Sequence, residues 1–151
     1  MIFRDATLLR PLILGGGQEH GLRAGTENVA GIVGFGVAAE IAAAKQAREA
    51  DRLANMRDRM EAALRAEVPQ VTILSEGAKR LANTSCLTMP GVRNDTQVMA
   101  FDLAGLAVSA GSACSAGKVE PSHVLEAMGV AEDDAITAVR ISLGDGTEDT
   151  H

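Results

Sequence analysis

The chain has 151 residues, of which 46% are hydrophobic, 23% are charged and only 2% are aromatic. This length fits one ordinary domain, or a small domain with a piece of another, and the composition is that of a folded protein rather than a disordered one. The formal net charge of -6, without basic clusters interleaved with aromatic residues, argues against a nucleic-acid partner.

The most apolar stretch, residues 29–44, contains three glycines and Glu40. It is shorter than the roughly 18 to 20 residues that cross a bilayer, so no membrane span is expected. The first residues lack the pattern of a secretory signal, and we therefore expect a cytoplasmic protein. Cys86 and Cys114 lie in no CxxC motif, and a reducing cytoplasm disfavours a disulfide between them. The histidine and cysteine spacing predicts no metal site.

The first elements in chain order are an apolar segment, a glycine-rich loop and a long helix. Residues 2–14 predict an extended segment, with Pro11 inside it, that leads into the loop at residues 15–28. A helical pattern then continues to Glu67, which is unusually long and predicts a bend or split at residues 44–46. Its first half is nearly all apolar, with glycines that imply close packing.

The second half of this helix predicts an amphipathic helix that covers a sheet, because its apolar residues recur at spacings of three and four. Arg57, Glu61 and Arg65 form charged i,i+4 neighbours on another face of it. Pro69 ends the helix.

Short strands mixed with helices follow this helix. The strands are predicted at residues 71–74, 83–89, 106–109 and 138–143, and the helices at residues 94–103 and 121–128. Asn94 or Asp95 is predicted to cap the first of these helices, and Gly129 to end the second. In the last strand Val139 and Ile141 share one face, and Arg140 lies on the other. This order predicts a two-layer α/β domain from about residue 46, and the segment before it needs another surface to pack on.

The glycine-rich loop, GGGQEHGLRAGTEN, ends where the long helix begins. Unpaired backbone N–H groups and the helix dipole favour an anion at such a position. Thr26 is predicted at or near the N-cap, where it could cap the helix, bind a phosphate through its hydroxyl, or do both. The spacing matches neither the dinucleotide fingerprint nor the P-loop, and the residues alone favour a tight loop with a helix cap.

The segment SAGSACSAGKVEPSHVL, residues 109–125, surrounds Cys114 with small residues between a strand and a helix. This composition predicts a loop that can move and a thiol with open access, and a nearby positive group would raise the thiolate fraction. The pattern alone leaves the catalytic and structural interpretations evenly balanced. Cys86 lies inside a predicted strand and is interpreted as structural.

Arg140 lies on the polar face of the last strand. A planar guanidinium held on a strand suits bidentate binding of a carboxylate, such as that of an amino acid. A surface or interdomain salt bridge is the commoner explanation of the pattern alone. His123 is interpreted as a partly exposed helix residue rather than a catalytic base.

Three segments together resemble motifs of the cysteine desulfurases: the glycine-rich loop at residues 15–28, the Cys114 segment at residues 109–125, and VRISLG at residues 139–144. The cysteine desulfurases are class V members of the aspartate-aminotransferase-like pyridoxal-phosphate enzymes. The resemblance implies an α/β fold, in which residues 1–45 end the large cofactor-binding domain and residues 46–151 form the small C-terminal domain. It also implies pyridoxal 5′-phosphate as the cofactor, L-cysteine as the substrate, a homodimer, and an iron–sulfur scaffold or another sulfur acceptor as the partner.

The resemblance also assigns roles to individual residues. In that family the loop thiolate attacks the sulfur of L-cysteine, which leaves an enzyme persulfide and releases alanine. Cys114 is then the nucleophile and sulfur carrier, and Thr26 contacts the cofactor phosphate across the dimer interface. Arg140 and Arg23 are the substrate-binding candidates: Arg140 holds the substrate carboxylate, and Arg23 supports the anionic site.

The sequence departs from the family in the residues that hold the cofactor. The family's lysine lies in a Ser-His-Lys setting, and Lys45, Lys79 and Lys118 have no such context. We therefore expect a piece of a desulfurase that is inactive alone and whose cofactor site comes from a longer parent or a partner chain. One alternative is a noncatalytic module that binds partners or accepts sulfur on Cys114. Another is a class V aminotransferase without sulfur chemistry, which the Cys114 segment argues against.

Overall fold

The computed structural model describes residues 10–110 and 122–149, which fall into two compact units. The units are Met1–Lys45 and Gln46–His151, and the boundary lies within the long helix α1, Val29–Glu67. This helix has 39 residues and is not split at residues 44–46. The expected split is absent because the sequence there is Ala-Lys-Gln, all of which are good helix formers.

The first unit contains the glycine-rich loop and the start of α1. A 3-10 turn at Gln18–Gly21 lies within the loop, and Glu19 and His20 adopt left-handed conformations with φ of 50° and 57°. Ala24 is buried, and its N–H donates to the carbonyl of Ile13 at 3.1 Å. The sequence analysis did not predict this turn, because two non-glycine residues with positive φ leave no clear pattern.

Asn28, rather than Thr26, caps the long helix. The Asn28 side-chain oxygen accepts the N–H of Gly31 at 3.1 Å, and its carbonyl accepts the first helical hydrogen bond, from Ile32, at 2.9 Å. These are the two bonds of an N-cap residue. The prediction that Thr26 caps the helix was wrong by two residues, which leaves its hydroxyl available for the other predicted role.

The first half of α1 exposes a series of large apolar side chains, including Ile32 and Phe35. An 18-residue window of α1 has a mean hydropathy of 1.3, so by length and composition alone this helix could cross a membrane. The apolar stretch at residues 29–44, which predicted no membrane span, is shorter than the helix that contains it. An apolar helix in the interior of a protein meets the same criterion, so the finding does not assign a membrane.

The second unit is built on a four-stranded antiparallel sheet with the order β1-β2-β4-β3. The strands are β1 Thr72–Ile73, β2 Thr84–Thr88, β3 Ser109–Ala110 and β4 Val139–Ser142. The helices besides α1 are α2 Asn94–Leu103, α3 His123–Ala127 and α4 Glu132–Ala135. The predicted α/β class is confirmed. The strands are shorter than predicted, and the third starts three residues later.

The ends of helices α2, α3 and α4 differ in how well the local sequence predicted them. α2 begins at Asn94, and its N-cap is Arg93, so neither predicted cap is correct. Asn94 is buried, and its N–H donates to the carbonyl of Ile136 at 2.9 Å, a contact between distant residues that the local sequence does not show. Gly129, with φ of 78°, follows the end of α3 as predicted. α4 was not predicted, and its only local signal is three acidic residues in its first turn.

One face of the sheet carries the main core. Four buried residues form this core, and three partly buried residues pack against them. Of these three, one lies in α1, one directly follows α1 and one lies in β4. The buried residues are Val71, Ile73, Leu87 and Val139, and the partly buried ones are Leu64, Val68 and Ile141. Val139 is buried and Arg140 is exposed, which confirms the alternation predicted for the last strand. On the second face, Cys86 packs against a smaller cluster of Leu125, Ala135 and Ala138 from the α3 and α4 region.

Arg52 of α1 binds the chain that follows β4. Its guanidinium donates to the carbonyls of Thr147 at 2.8 Å and Asp145 at 3.1 Å, and it pairs with Glu49 at 2.8 Å. Backbone carbonyls that would otherwise need water are satisfied in this way. The turn after the last strand is therefore fixed to the helix.

A buried ion pair joins α1 to the loop before β2. Arg80 donates to both carboxylate oxygens of Glu61, at 2.7 and 3.0 Å, and the two side chains are only 14% and 5% exposed. The predicted i,i+4 neighbours of Glu61 form ion pairs with other residues, Arg57 with Asp58 and Arg65 with Glu76. Arg80 arrives from a distant loop and binds both oxygens of Glu61. Hydrogen bonds from Arg80 hold the pKa of the Glu61 carboxyl below its ordinary value, although burial opposes this shift.

We predict that Glu61→Gln lowers the free energy of unfolding at pH 7 by about 3 kcal/mol, because Arg80 is left buried without a countercharge. A lowered pKa means that the carboxylate contributes stability above its unfolded pKa of about 4.3 and loses it as the pH falls through the folded value. The difference between the wild type and the variant should therefore shrink below about pH 4. Urea unfolding across this range measures it.

The matched control is Glu76→Gln, because Glu76 forms an exposed pair with Arg65, with side chains 53% and 42% exposed. Such pairs contribute less than about 1 kcal/mol. Equal losses in the two variants at pH 7 would contradict the assigned importance of the buried pair.

Candidate functional site

The pairing of the strands places Arg140 at the centre of the sheet. Its Cα partner on one side is Cys86 of β2, and on the other side it is Ser109 of β3. Directly opposed residues in an antiparallel sheet project from the same face. The guanidinium therefore leaves the sheet on the face opposite Val139, with the Cys86 thiol as its neighbour.

A pocket of about 470 Å³ opens around Arg140. It lies entirely within the second unit, and residues from β2, β4, α3 and the loop before β2 line it. The polar lining residues that bear on the argument are Arg80, Thr84, Cys86, Ser122, His123 and Arg140. The sequence analysis had singled out Arg140, Cys86 and His123 separately, and the fold brings them to one pocket.

The Arg140 side chain is exposed. It makes no hydrogen bond or ion pair to another residue within residues 10–110 and 122–149. The surface salt bridge that the pattern also allowed is not formed in this part of the chain. An exposed guanidinium over a partly apolar pocket is suited to hold a carboxylate in a fixed orientation.

Cys86, the partner of Arg140 on β2, carries a half-buried thiol. Burial raises the pKa of the Cys86 thiol, and the positive charge of Arg140 opposes part of that increase. A thiol with a raised pKa stays protonated near neutral pH, which is a poor property for a nucleophile. The structural interpretation of Cys86 is consistent with this environment.

The second half of α1 holds one wall of the pocket. Arg80 and Leu81 both line it, and both are bound to this helix. Glu61 holds Arg80 through the ion pair described above, and Arg57 donates to the carbonyl of Leu81 at 2.7 Å. Neither Arg80 nor Leu81 was a sequence candidate, because a charged loop next to Lys79 has the pattern of an ordinary solvated surface.

Cys114 lies outside the described residues, but both residues that border its segment are described. Ala110, the last before it, pairs with Val139, and the preceding Ser109 pairs with Arg140. Ser122, the first after it, lines the pocket together with Arg140. The residues just before the segment therefore pair with the strand that carries Arg140, and the residue just after it lines the pocket.

Thr26 and Arg23 belong to the first unit, which has a candidate anion site of its own. Thr26 is exposed, and within the described residues neither its hydroxyl nor its N–H has a hydrogen-bond partner. The same is true of the N–H groups of Glu27 and Asn28. Several unpaired donors at the start of a helix fit the phosphate of a cofactor. Arg23 instead donates to the carbonyls of Gly25 and Thr26.

A larger cavity of about 750 Å³ lies between α1, α2 and the sheet of the second unit. Its described lining is mostly apolar and includes no Asp, Glu, His, Cys, Lys or Arg side chain. The main polar feature is Gln97, whose buried Oε1 lacks a hydrogen-bond partner within the described residues. No group of three potential metal ligands occurs in the described part of the chain. The Arg140 pocket is therefore the better candidate for chemistry.

Comparison with known proteins identifies the family of the chain. The model of the Aminotransferase class-V family matches residues 12–149. The chain belongs to this family. Among curated relatives, a cysteine desulfurase of Cereibacter sphaeroides is 45% identical over 144 residues, which are 95% of this chain and 36% of the relative. Cysteine desulfurase NifS of Azotobacter vinelandii is 40% identical, over 95% of this chain and 36% of the relative.

Solved structures show the same relationship. A NifS-like protein from Rickettsia africae is 35% identical, with a TM-score of 0.77, and the match covers 92% of this chain and 36% of that one. The family resemblance and the fold expected from it are thus confirmed. The chain spans about a third of the length of these relatives, and the expected division into a large-domain end and a small domain stays a prediction.

We predict that Arg140→Gln slows alkylation of Cys86 near neutral pH, because losing the positive charge raises the pKa of the thiol further and lowers its thiolate fraction. The pH dependence of the alkylation rate measures this in a Cys114→Ser background, where Cys86 is the one remaining cysteine. Arg93→Gln is the control, because Arg93 pairs with Asp95 and does not line the pocket. A faster reaction in Arg140→Gln would contradict the predicted direction.

Proposed function

We propose that this chain is part of a cytoplasmic cysteine desulfurase that takes sulfur from L-cysteine onto Cys114 and releases L-alanine for iron–sulfur cluster assembly. The observation that carries the proposal is the Arg140 guanidinium, which has no partner within residues 10–110 and 122–149. It lies in a pocket that Ser122 lines, and it pairs across the sheet with Ser109, close to the start of the Cys114 segment. Cys114 is four residues beyond Ala110, and four residues can span at most about 14 Å. The relatives named cysteine desulfurase support the same assignment.

Arg140 would fix the substrate by its carboxylate. Because Arg140 lies on a strand that is hydrogen-bonded on both sides, the sheet fixes the position of its backbone and the face from which its side chain projects. Two parallel N–H···O bonds to a carboxylate would define the orientation of the amino acid as well as its place. The sulfur of the substrate would then be held within reach of the Cys114 segment.

Cys114 would act as the nucleophile in the proposed reaction. Its thiolate attacks the sulfur of L-cysteine, so that a sulfur–sulfur bond forms on Cys114 while the carbon–sulfur bond of the substrate breaks. Pyridoxal phosphate, when bound, supplies the electron sink that accepts the electron pair of that broken bond. Protonation of the carbon then yields L-alanine, and Cys114 retains the sulfur for transfer to an acceptor.

The residues of the first unit fit one part of the cofactor. The hydroxyl and N–H of Thr26, with the N–H groups that follow it, would bind the phosphate, in keeping with the family's contact across a homodimer. The sequence has no lysine in the Ser-His-Lys setting that holds the cofactor in the family. We therefore propose that the lysine comes from a longer parent or a partner chain, and that this chain alone is inactive.

A chimera tests the proposal directly. In it, this chain replaces the matching 36% of the Cereibacter sphaeroides enzyme, which then supplies the cofactor lysine. We predict that the chimera releases alanine from L-cysteine and that Cys114→Ser abolishes persulfide formation. Arg140→Lys should raise the KM for L-cysteine about tenfold, because an ammonium cannot reproduce the bidentate fork.

Arg93→Lys is the matched control and should leave the KM unchanged. This chain alone, mixed with pyridoxal phosphate and L-cysteine, should release no alanine. Visible absorbance of the bound cofactor shows that the chimera is folded. A chimera that binds the cofactor but transfers no sulfur to Cys114 would contradict the proposal and favour the noncatalytic module. If the Arg140→Lys chimera has the same KM for L-cysteine as the unmodified chimera, the proposed role of Arg140 is contradicted.

A further inference from the structure

Two side chains hold the peptide groups around Gly25 in the glycine-rich loop. Gln18 Oε1 accepts the N–H of Gly25 at 3.3 Å. Arg23 Nη1 donates to the carbonyl of Gly25 at 3.2 Å and also to the carbonyl of Thr26. The turn before α1 is thus held by side chains from within the loop, in addition to its backbone bonds.

The contacts of Arg23 determine where two N–H groups point. In a planar trans peptide the N–H is directed opposite to the C=O of the same unit. Because the carbonyls of Gly25 and Thr26 both point to one guanidinium nitrogen, the N–H groups of Thr26 and Glu27 point away from it. Neither N–H has a partner within the described residues. Arg23 therefore leaves two unpaired donors on the side of the turn that it does not occupy.

Two glycines of the loop, Gly16 and Gly25, allow these contacts to form. Gly25 has a φ of 89°, a conformation that a side chain would strain. A Cβ on Gly16 would lie 2.4 Å from Gln18 Oε1, the atom that binds Gly25. A Cβ on Gly17 would meet no atom within 4 Å, and its φ is an ordinary -83°. The Gln18 carboxamide thus occupies the position that a side chain at residue 16 would take.

We propose that Gln18 and Arg23 are positioning residues that orient the Thr26 hydroxyl and the N–H groups of Thr26 and Glu27 toward a phosphate monoester. This inference rests on the proposed function, in which Thr26 contacts the cofactor phosphate. It adds Gln18 to the site and changes the role of Arg23. Arg23 acts through the backbone carbonyls it holds, instead of binding the substrate itself.

The experiment uses the full chain, labelled with ¹⁵N, and inorganic phosphate as the probe, with chloride at matched ionic strength as the reference. Two quantities are measured: the phosphate affinity from amide shifts of Thr26 and Glu27, and the order parameters of the same amides. In the wild type both amides should shift with phosphate, with order parameters of about 0.85.

The variants Gly16→Ala and Arg23→Gln disturb the turn from opposite sides. Each should weaken phosphate binding about fivefold, the effect of one lost hydrogen bond, and lower the order parameters below about 0.6. Gly17→Ala, the matched control for Gly16→Ala, should change neither quantity. Unchanged amide shifts in the second unit show that each variant remains folded.

The outcomes separate this inference from the proposed function. A wild-type chain whose Thr26 and Glu27 amides do not respond to phosphate overturns the phosphate contact in the proposed function, and the inference with it. A wild type that responds, together with variants whose affinity and order are unchanged, overturns the inference alone. Weaker binding without loss of order in Arg23→Gln would show that Arg23 contacts the anion directly, which also overturns it.

Discussion

The pairing of β2 with β4 is the interaction on which the second unit depends. Its register sets Leu87 beside Val139 and Cys86 beside Arg140. Because successive side chains of a strand point to opposite faces, one ladder supplies the buried core on one face and the candidate pocket on the other. A slip of one residue would exchange the faces and direct Arg140 into the apolar core, at a large cost in free energy. Stability and the candidate site therefore have the same structural basis.

The contacts of α1 with the loops of this unit support the sheet. Glu61 binds Arg80, and Arg52 binds the turn after β4. Arg80 lies in a pocket wall, and the turn follows directly from the strand that carries Arg140. Removing the Glu61 carboxylate should thus disturb the pocket as well as the core. The helix thus holds two residues of the pocket wall, Arg80 and Leu81, close to a guanidinium that has no partner in the described residues.

The sequence was sufficient for the features that depend on local periodicity and on family motifs. The alternation around Arg140, the end of α3 at Gly129 and the α/β class were all predicted correctly. The features that were missed depend on contacts between distant residues: Arg80 reaches Glu61 across 19 positions, and the Asn94 N–H binds the carbonyl of Ile136. No periodic pattern encodes such contacts. The capping error had a different cause, since Thr26 and Asn28 are both good caps and only the helix start decides between them.

The central claim is that Arg140 binds the carboxylate of an amino acid. The most direct measurement follows the Nε–Hε resonance of Arg140 by NMR while L-alanine or L-alaninamide is added at constant pH and ionic strength. The account predicts a saturable shift with L-alanine and none with L-alaninamide, which carries the same side chain without the carboxylate. An equal response to both compounds, or none to L-alanine, would contradict it.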